Sequence, residues 1–241
     1  VTAEVTAHEL LVARDPEEAA AFVAELVGRA VVEAVARRGL AHVALSGGKT
    51  PLGAYRRLAE YALPWAATWL AWVDERAVPA DHPRSNQTAI REALGPALRE
   101  GRSLRLDADA ADLDSAARAY DSALRRMFGV TEAAVFDVVT LGIGADGHTA
   151  SLFPALGSTA VDDRLVVSVP AQPDLGLEAR VSLTAPVLQA ARLVVVLALG
   201  SEKRPAVMAA RLPGACEELP ARLLQGARGR VVWVLDEGSA P

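Results

Sequence analysis

FDVVTLGIGADGHTASLFP, residues Phe136–Pro154, is the stretch on which the reading of the fold turns. Its first part is an apolar, β-branched run of the kind that fills a strand buried on both faces. The run ends in Gly142, Gly144, Asp146, Gly147 and His148, and Pro154 leaves room for barely two turns of a following helix. Such a segment puts a histidine and free backbone N–H groups at the carboxyl end of a buried strand. In an open α/β sheet, ligands bind outside that end.

The same alternation extends outward in both directions. Asp15-Pro16-Glu17-Glu18 carries the marks of a helix start, an N-cap followed by proline and first-turn acids, and the helix runs to about Arg38 with Gly39 as its stop. AHVAL (41–45) reads as a buried strand, Pro51 to about Tyr61 as a helix and TWLAWV (68–73) as a strand. A helix is expected near Gln87–Leu94, a strand at SLRLD (103–107) and a helix from about Asp112 to Phe128. VFDVVTL (135–141), LVVVLAL (193–199) and VVWVL (231–235) are further strands, with a helix from about Glu202 to Arg211. Strand–helix alternation with near-continuous apolar strands implies an α/β fold, a mostly parallel sheet with helices on both faces. Between Leu156 and Pro186 the alternation lapses into the shorter strands LVVSV and ARVSL, which predicts a small irregular or antiparallel insertion. The whole reads as one domain over residues 1–241.

Composition narrows the function classes. The chain is 51% hydrophobic with only 5% aromatic residues, so its core is mostly aliphatic. Its apolar runs stop short of the ~20 residues of a membrane span, and VTAEVTAHELLVARD lacks the basic-then-apolar order of a signal peptide. Cys216 is the only cysteine, which leaves no intrachain disulfide and fits a reducing compartment. The expectation is a cytoplasmic protein. A net charge of −5 argues against nucleic acid or an anionic membrane as partner. His8, His42, His82 and His148 are scattered without metal-ligand spacing, so no metal is expected.

Four unusual loops each follow a strand: SGGKTP (46–51), DERAVP (74–79), GIGADGHTASLFP (142–154) and GSEK (200–203). In a parallel sheet all four lie along one edge. In SGGKTP, the glycines admit close backbone approach to an anion, Ser46 and Thr50 offer hydroxyls, and Thr50-Pro51 is placed to cap the next helix. A nucleotide P-loop needs glycine five positions before Gly48, where Val43 stands. Asp74, Glu75 and Arg76 would be a surface salt-bridge cluster in isolation, but at a strand's carboxyl end they face the crevice. Gly142, Gly144 and Gly147 satisfy GxGxxG, yet Pro154 denies the long helix that a dinucleotide site requires. His148, among glycines and near Asp146, fits a general base better than a structural histidine, because the ordinary imidazole pKa of about 6.5 suits proton transfer near neutrality. Arg180, Ser182 and Thr184 share one face of a strand. Lys203 begins a helix, where a cation opposes the dipole unless an anion lies nearby.

LSGGKTP, WVDERAVPADHPRSN, FDVVTLGIGADGHTASLFP, RVSLTAP and GSEK, in that order, resemble the glucosamine-6-phosphate isomerase/6-phosphogluconolactonase family, on its lactonase side. The matching blocks run from about Leu45 to Lys203, and DGHTASLFP is the most specific of them. The resemblance implies a modified Rossmann-like fold, no cofactor or metal, and hydrolysis of 6-phosphoglucono-1,5-lactone, an intermediate of the oxidative pentose phosphate pathway, to 6-phosphogluconate. It implies that His148 activates water, that Asp146 orients the loop or the imidazole, and that Arg76, with Asp74 behind it, meets the lactone. Ser46, Gly47, Gly48, Thr50, Gly144, Arg180 and Lys203 would bind substrate, most of them its phosphate. The implied partner is a small sugar-phosphate lactone, with the chain a monomer or weak homodimer. One departure stands before Arg180, where AQPDLGLEA (171–179) carries no lysine. Deaminase relatives carry a carboxylate just before the loop's proline, where this chain has Phe153. A silent sugar-phosphate-binding module is the alternative from another class, and fold alone does not exclude it.

Overall fold

The computed structural model describes residues 8–100, 102–110, 112–129 and 134–241. Residues 1–7, the start of the segment read above as lacking a signal-peptide pattern, lie outside the described residues. The first half of the chain forms β1 (Glu9–Ala13), α1 (Pro16–Arg38), β2 (Ala41–Leu45), α2 (Leu52–Ala59), β3 (Thr68–Trp72), β4 (Asp74–Arg76), α3 (Asn86–Leu94), α4 (Pro96–Glu100) and β5 (Arg102–Ser103). The second half adds α5 (Leu113–Phe128), β6 (Val138–Gly142), β7 (Val166–Val169), β8 (Arg180–Leu183), α6 (Ala185–Ala190), β9 (Leu193–Ala198), α7 (Arg204–Ala210) and β10 (Arg230–Asp236).

Seven strands form a parallel sheet in the order β1-β10-β9-β6-β2-β3-β5. The chain moves from β2 through β3 to β5 in one direction, then returns to lay β6 on the other side of β2 and continues to β9 and β10. The strand order therefore reverses between β2 and β6, and at such a switch point the two following loops part to leave a crevice. Val231 to Leu235 on β10 are all fully buried. Successive strand residues face opposite ways, so both faces of the sheet are covered. Among the described residues no helix is long and apolar enough to cross a membrane.

Local chemistry explains the best-defined helix. The Asp15 carboxylate accepts from Glu18 N–H at 2.8 Å, and the Glu18 carboxylate reaches back to Arg14 N–H at 2.7 Å, a reciprocal cap. At the other end Gly39 adopts φ 76° and its N–H closes on Val35 O.

The second sheet is antiparallel, in the order β4-β8-β7. Its β7 and β8 occupy the expected insertion, but β4 is DER, which the sequence placed in a loop. After β3 the chain crosses through Val73, whose carbonyl takes Leu183 N–H at 2.8 Å, and Asp74–Arg76 then pairs with β8. The strand expected over 103–107 is also corrected: β5 stops at Ser103. Beyond it, Trp72 Nε1 donates to Leu104 O at 2.7 Å, and the Gln87 carboxamide bonds both Leu106 N–H and Leu106 O. Side chains take over the backbone groups that a longer ladder would have used. The edge strand β1, paired in parallel with β10, was not anticipated.

Candidate active site

The glycine loop after β2 is braced from beneath. Ser46 N–H donates to Thr140 Oγ1 of β6 at 3.0 Å, and the Tyr55 hydroxyl of α2 donates to Ser46 O at 2.8 Å. With its proton so used, Tyr55 accepts from Thr140, also at 2.8 Å. Burial pushes the Tyr55 phenol up to about 12, so it stays a neutral donor. Gly48 has φ 96°, a conformation open to glycine. At Gly47 a Cβ would lie 1.8 Å from Asn86 Oδ1, so only a bare Cα seats against that amide. The expected Thr50 cap is absent: α2 starts from Pro51 without a side-chain cap, and Thr50 and Lys49 are exposed.

One face of the β4–β8 pair collects the charged groups. The register sets Asp74 opposite Ser182 and Arg76 opposite Arg180, so these four side chains share a face while Glu75 and Val181 take the other. Asp74, almost wholly buried, accepts from Ser151 Oγ at 2.5 Å and lies 3.9 Å from Arg180 Nη1. It is behind Arg180 rather than Arg76, which corrects the expected pairing. Arg76 instead donates through Nη1 to Arg84 O at 2.7 Å. The Nε atoms of Arg76 and Arg180 are both buried without an acceptor among the described residues. Burial lowers the pKa of Arg180, opposed by the Asp74 charge and reinforced by Arg76. The Arg180 guanidinium also lies 5.2 Å from the Phe153 ring centre.

The loop after β6 presents the histidine. Asp146 Oδ1 lies 2.6 Å from His148 Nδ1 and 3.2 Å from His148 N. The imidazole is 32% exposed and packs at 4.6 Å, tilted, on the Phe153 ring. A carboxylate at Nδ1 favours the tautomer whose free lone pair is on Nε2. Gly144 makes this contact sterically feasible: a Cβ there would fall 2.1 Å from His148 Nδ1 and 2.2 Å from Asp146 Oδ1. Gly144 N–H also bonds His148 O at 2.8 Å, folding the loop back on itself.

The structure thus links Gly144, Asp146, His148, Arg180, Asp74 and, through Asn86, Gly47 in a continuous set of contacts, with Arg76 opposite Arg180. Lys203 stands at the carboxyl end of β9, beside β6 in the sheet, in a 3₁₀ turn before α7. Its ammonium makes no hydrogen bond or ion pair among the described residues. Sequence reasoning missed Asn86 and Ser151 as parts of this assembly, and the packing role of Phe153. Its expectation that Glu75 faces the crevice with Asp74 and Arg76 is corrected, since Glu75 takes the opposite face of β4. Glu75, only 2% exposed, accepts from Arg76 N, Asn86 N and Gln87 N at 2.8 Å each and from Ser85 Oγ at 3.0 Å. A Ser-Asn pair opening a helix after an acidic strand end was the available signal, but not which acid meets it.

Comparison with known proteins bears on the family of the chain. The family model described as glucosamine-6-phosphate isomerases/6-phosphogluconolactonase matches residues 14–233. A 6-phosphogluconolactonase of Synechocystis sp. is 38% identical over 214 residues, covering 86% of each chain. The GDH/6PGL endoplasmic bifunctional protein of Oryctolagus cuniculus is 34% identical over 241 residues, and the match spans 94% of this chain but 29% of that protein. Among solved structures, 6-phosphogluconolactonase from Trypanosoma brucei superposes with a TM-score of 0.85 at 29% identity, covering 97% of this chain and 98% of that one. With its modified Rossmann-like architecture and nearly its full length matched, this chain belongs to the glucosamine-6-phosphate isomerase/6-phosphogluconolactonase family.

Proposed function

We propose that the chain hydrolyses 6-phosphoglucono-1,5-lactone to 6-phosphogluconate by direct attack of water, with His148 as general base. The observation that carries this reading is the 2.6 Å contact of His148 Nδ1 with Asp146, which leaves Nε2 to face a reactant at the switch-point crevice. Water loses a proton to Nε2 as its oxygen bonds to the lactone carbon, and the carbonyl oxygen becomes an oxyanion. Arg76 stabilises that charge. Collapse of the tetrahedral intermediate breaks the bond to the ring oxygen, which takes the proton back from the imidazolium. Arg180 and the Ser46–Thr50 loop hold the phosphate, joined by Lys203. No residue set here resembles a nucleophile elbow, so no acyl-enzyme is invoked. Phe153 in place of a carboxylate before Pro154 removes the acid/base group that a deaminase would use, and the cytoplasm is the expected compartment.

The test is hydrolysis of freshly made 6-phosphogluconolactone against its spontaneous opening, with unphosphorylated gluconolactone as control. Enzymatic turnover with strong preference for the phosphorylated lactone, and a loss of about 10²-fold or more in His148→Ala, is expected. Full activity in that variant removes the base. Ammonia release from glucosamine 6-phosphate promotes a deaminase, and binding without turnover promotes the silent module.

A further inference from the structure

We infer that Ser151 is a positioning residue: its hydroxyl on Asp74 locks the His148 loop to the sheet face that carries Arg76 and Arg180. The inference rests on the lactonase reading for its kinetic consequence, though not for its geometry. Ser151 is fully buried, with 0% exposure, yet its side chain is spent on a charged partner rather than on its own backbone. Its Oγ donates to Asp74 Oδ2 at 2.5 Å, and its N–H donates to Ser182 Oγ at 3.2 Å. Asp74 and Ser182 are directly opposite in the β4–β8 register. Ser151 is therefore seated at two points across that register, next to the opposed arginines. Arg180 Nη1 approaches the same hydroxyl at 3.5 Å.

The backbone is bent to reach this seat. Ala150, the residue before Ser151, has φ 51°, in the left-handed region that a residue with a Cβ rarely occupies. Thr149 anchors the near side of the bend, its Oγ1 donating to Gly142 O at 2.9 Å, and Leu152 N–H closes on Thr149 O at 3.0 Å. Strain of this kind persists where surrounding contacts over-determine it. Here those contacts are Thr149 on one side and Ser151 on the other, with His148 immediately before them. Without the Ser151 hydroxyl, the loop loses its tie to Asp74. The Ser151 N–H on Ser182 Oγ and the Phe153 ring between His148 and Arg180 then hold the distance between base and cations less firmly.

The experiment combines kinetics with amide hydrogen exchange on the intact chain. Ser151→Ala is expected to lower kcat on 6-phosphogluconolactone by about tenfold or more, since misplacement of a reacting group by an ångström is costly. In a His148→Ala background the same change is expected to alter kcat by less than about twofold, because no base is left to misplace. A general loss of folding would lower both backgrounds alike, so equal factors overturn the proposal. Asp74→Asn preserves shape and tests the acceptor; the double variant with Ser151→Ala is expected to be no slower than the slower single one. Exchange of the amides over 143–153 is expected to quicken about tenfold in Ser151→Ala while those of β9 and β10 hold their rates. Unchanged loop exchange overturns the proposal whatever the kinetics. If the wild-type chain does not hydrolyse the lactone, the functional reading falls, and the exchange measurement alone decides the role of Ser151.

Discussion

Arg76 and Arg180 stand directly opposite one another across β4 and β8, and the Nε of each is buried without an acceptor among the described residues. Like charges in this register repel, and an unmet buried donor costs about 1–3 kcal/mol. Negative charge arriving between them removes both penalties, which suits a site for a phosphorylated substrate whose carbonyl oxygen becomes an anion. Arg180→Lys keeps the charge but loses the planar fork. Its affinity for 6-phosphogluconate, measured by calorimetric titration, is expected to fall by about tenfold or more, equivalent to about 1.4 kcal/mol. Wild-type affinity in that variant takes Arg180 out of the phosphate site.

Gly144 lacks a side chain because the His148–Asp146 contact fills the space where one would project. Its φ is not in the left-handed region, so alanine meets no backbone objection there. Gly144→Ala is therefore expected to fold while separating Asp146 from the imidazole. A loss of about 10²-fold in kcat with little change in KM follows for a base that has lost its orienting partner. Steady-state kinetics beside circular dichroism check it; retention of kcat in a folded variant means that the aspartate does not orient the histidine.

Much of this arrangement was legible in the sequence because its signals are local. Asp15, Pro16 and Gly39 mark both ends of α1 within a turn of where the helix begins and stops. Three of the four loops, after β2, β6 and β9, follow strands whose apolar runs leave little ambiguity, and parallel pairing brings them to one edge. What escaped was decided by partners distant in sequence. DER becomes a strand only because β8, about a hundred residues later, offers it a ladder. SLRLD loses its strand character because Gln87 and Trp72 bond its backbone first. Asp74 lies against Arg180 because the register of β8 sets that arginine on its face, and register is invisible in one strand alone. Ser151 has no role legible in the sequence for the same reason.

Glu75 is the acid in DER that faces away from the arginines, and it holds α3 in place. Four donors converge on its carboxylate, from Arg76, Ser85, Asn86 and Gln87. Glu75→Ala leaves several buried donors unmet, at about 1–3 kcal/mol each before water or relaxation offsets part of the cost. A net destabilisation of about 3 kcal/mol is expected from urea unfolding. Because Asn86 supports Gly47, KM for the lactone is expected to rise as well. A loss below about 1 kcal/mol means that α3 keeps its start without this acid.

His8 ties stability to pH. Its Nε2 lies 3.1 Å from Leu224 O, and its Nδ1 accepts from Trp233 Nε1 at 3.2 Å. Both rings' contacts are met only when Nε2 carries the proton and Nδ1 does not, so protonation forces Nδ1–H against the indole donor. Burial lowers the His8 pKa, opposed by the Leu224 hydrogen bond and aided by Arg211. His42 shifts the same way, through burial first, with Asp137 opposing and Arg38 aiding. Each folded pKa lies below the unfolded value near 6.5, so the unfolded chain binds protons more readily as pH falls. The stability from keeping these rings neutral is complete above that unfolded value and declines as pH falls through it towards the lower folded values. Urea midpoints are expected to drop between about pH 7.5 and pH 5, above the range where most carboxylates titrate. His8→Gln, which cannot be protonated, is expected to flatten that drop. A wild-type midpoint that is level across the window, or a drop undiminished in His8→Gln, refutes the role of His8 in it.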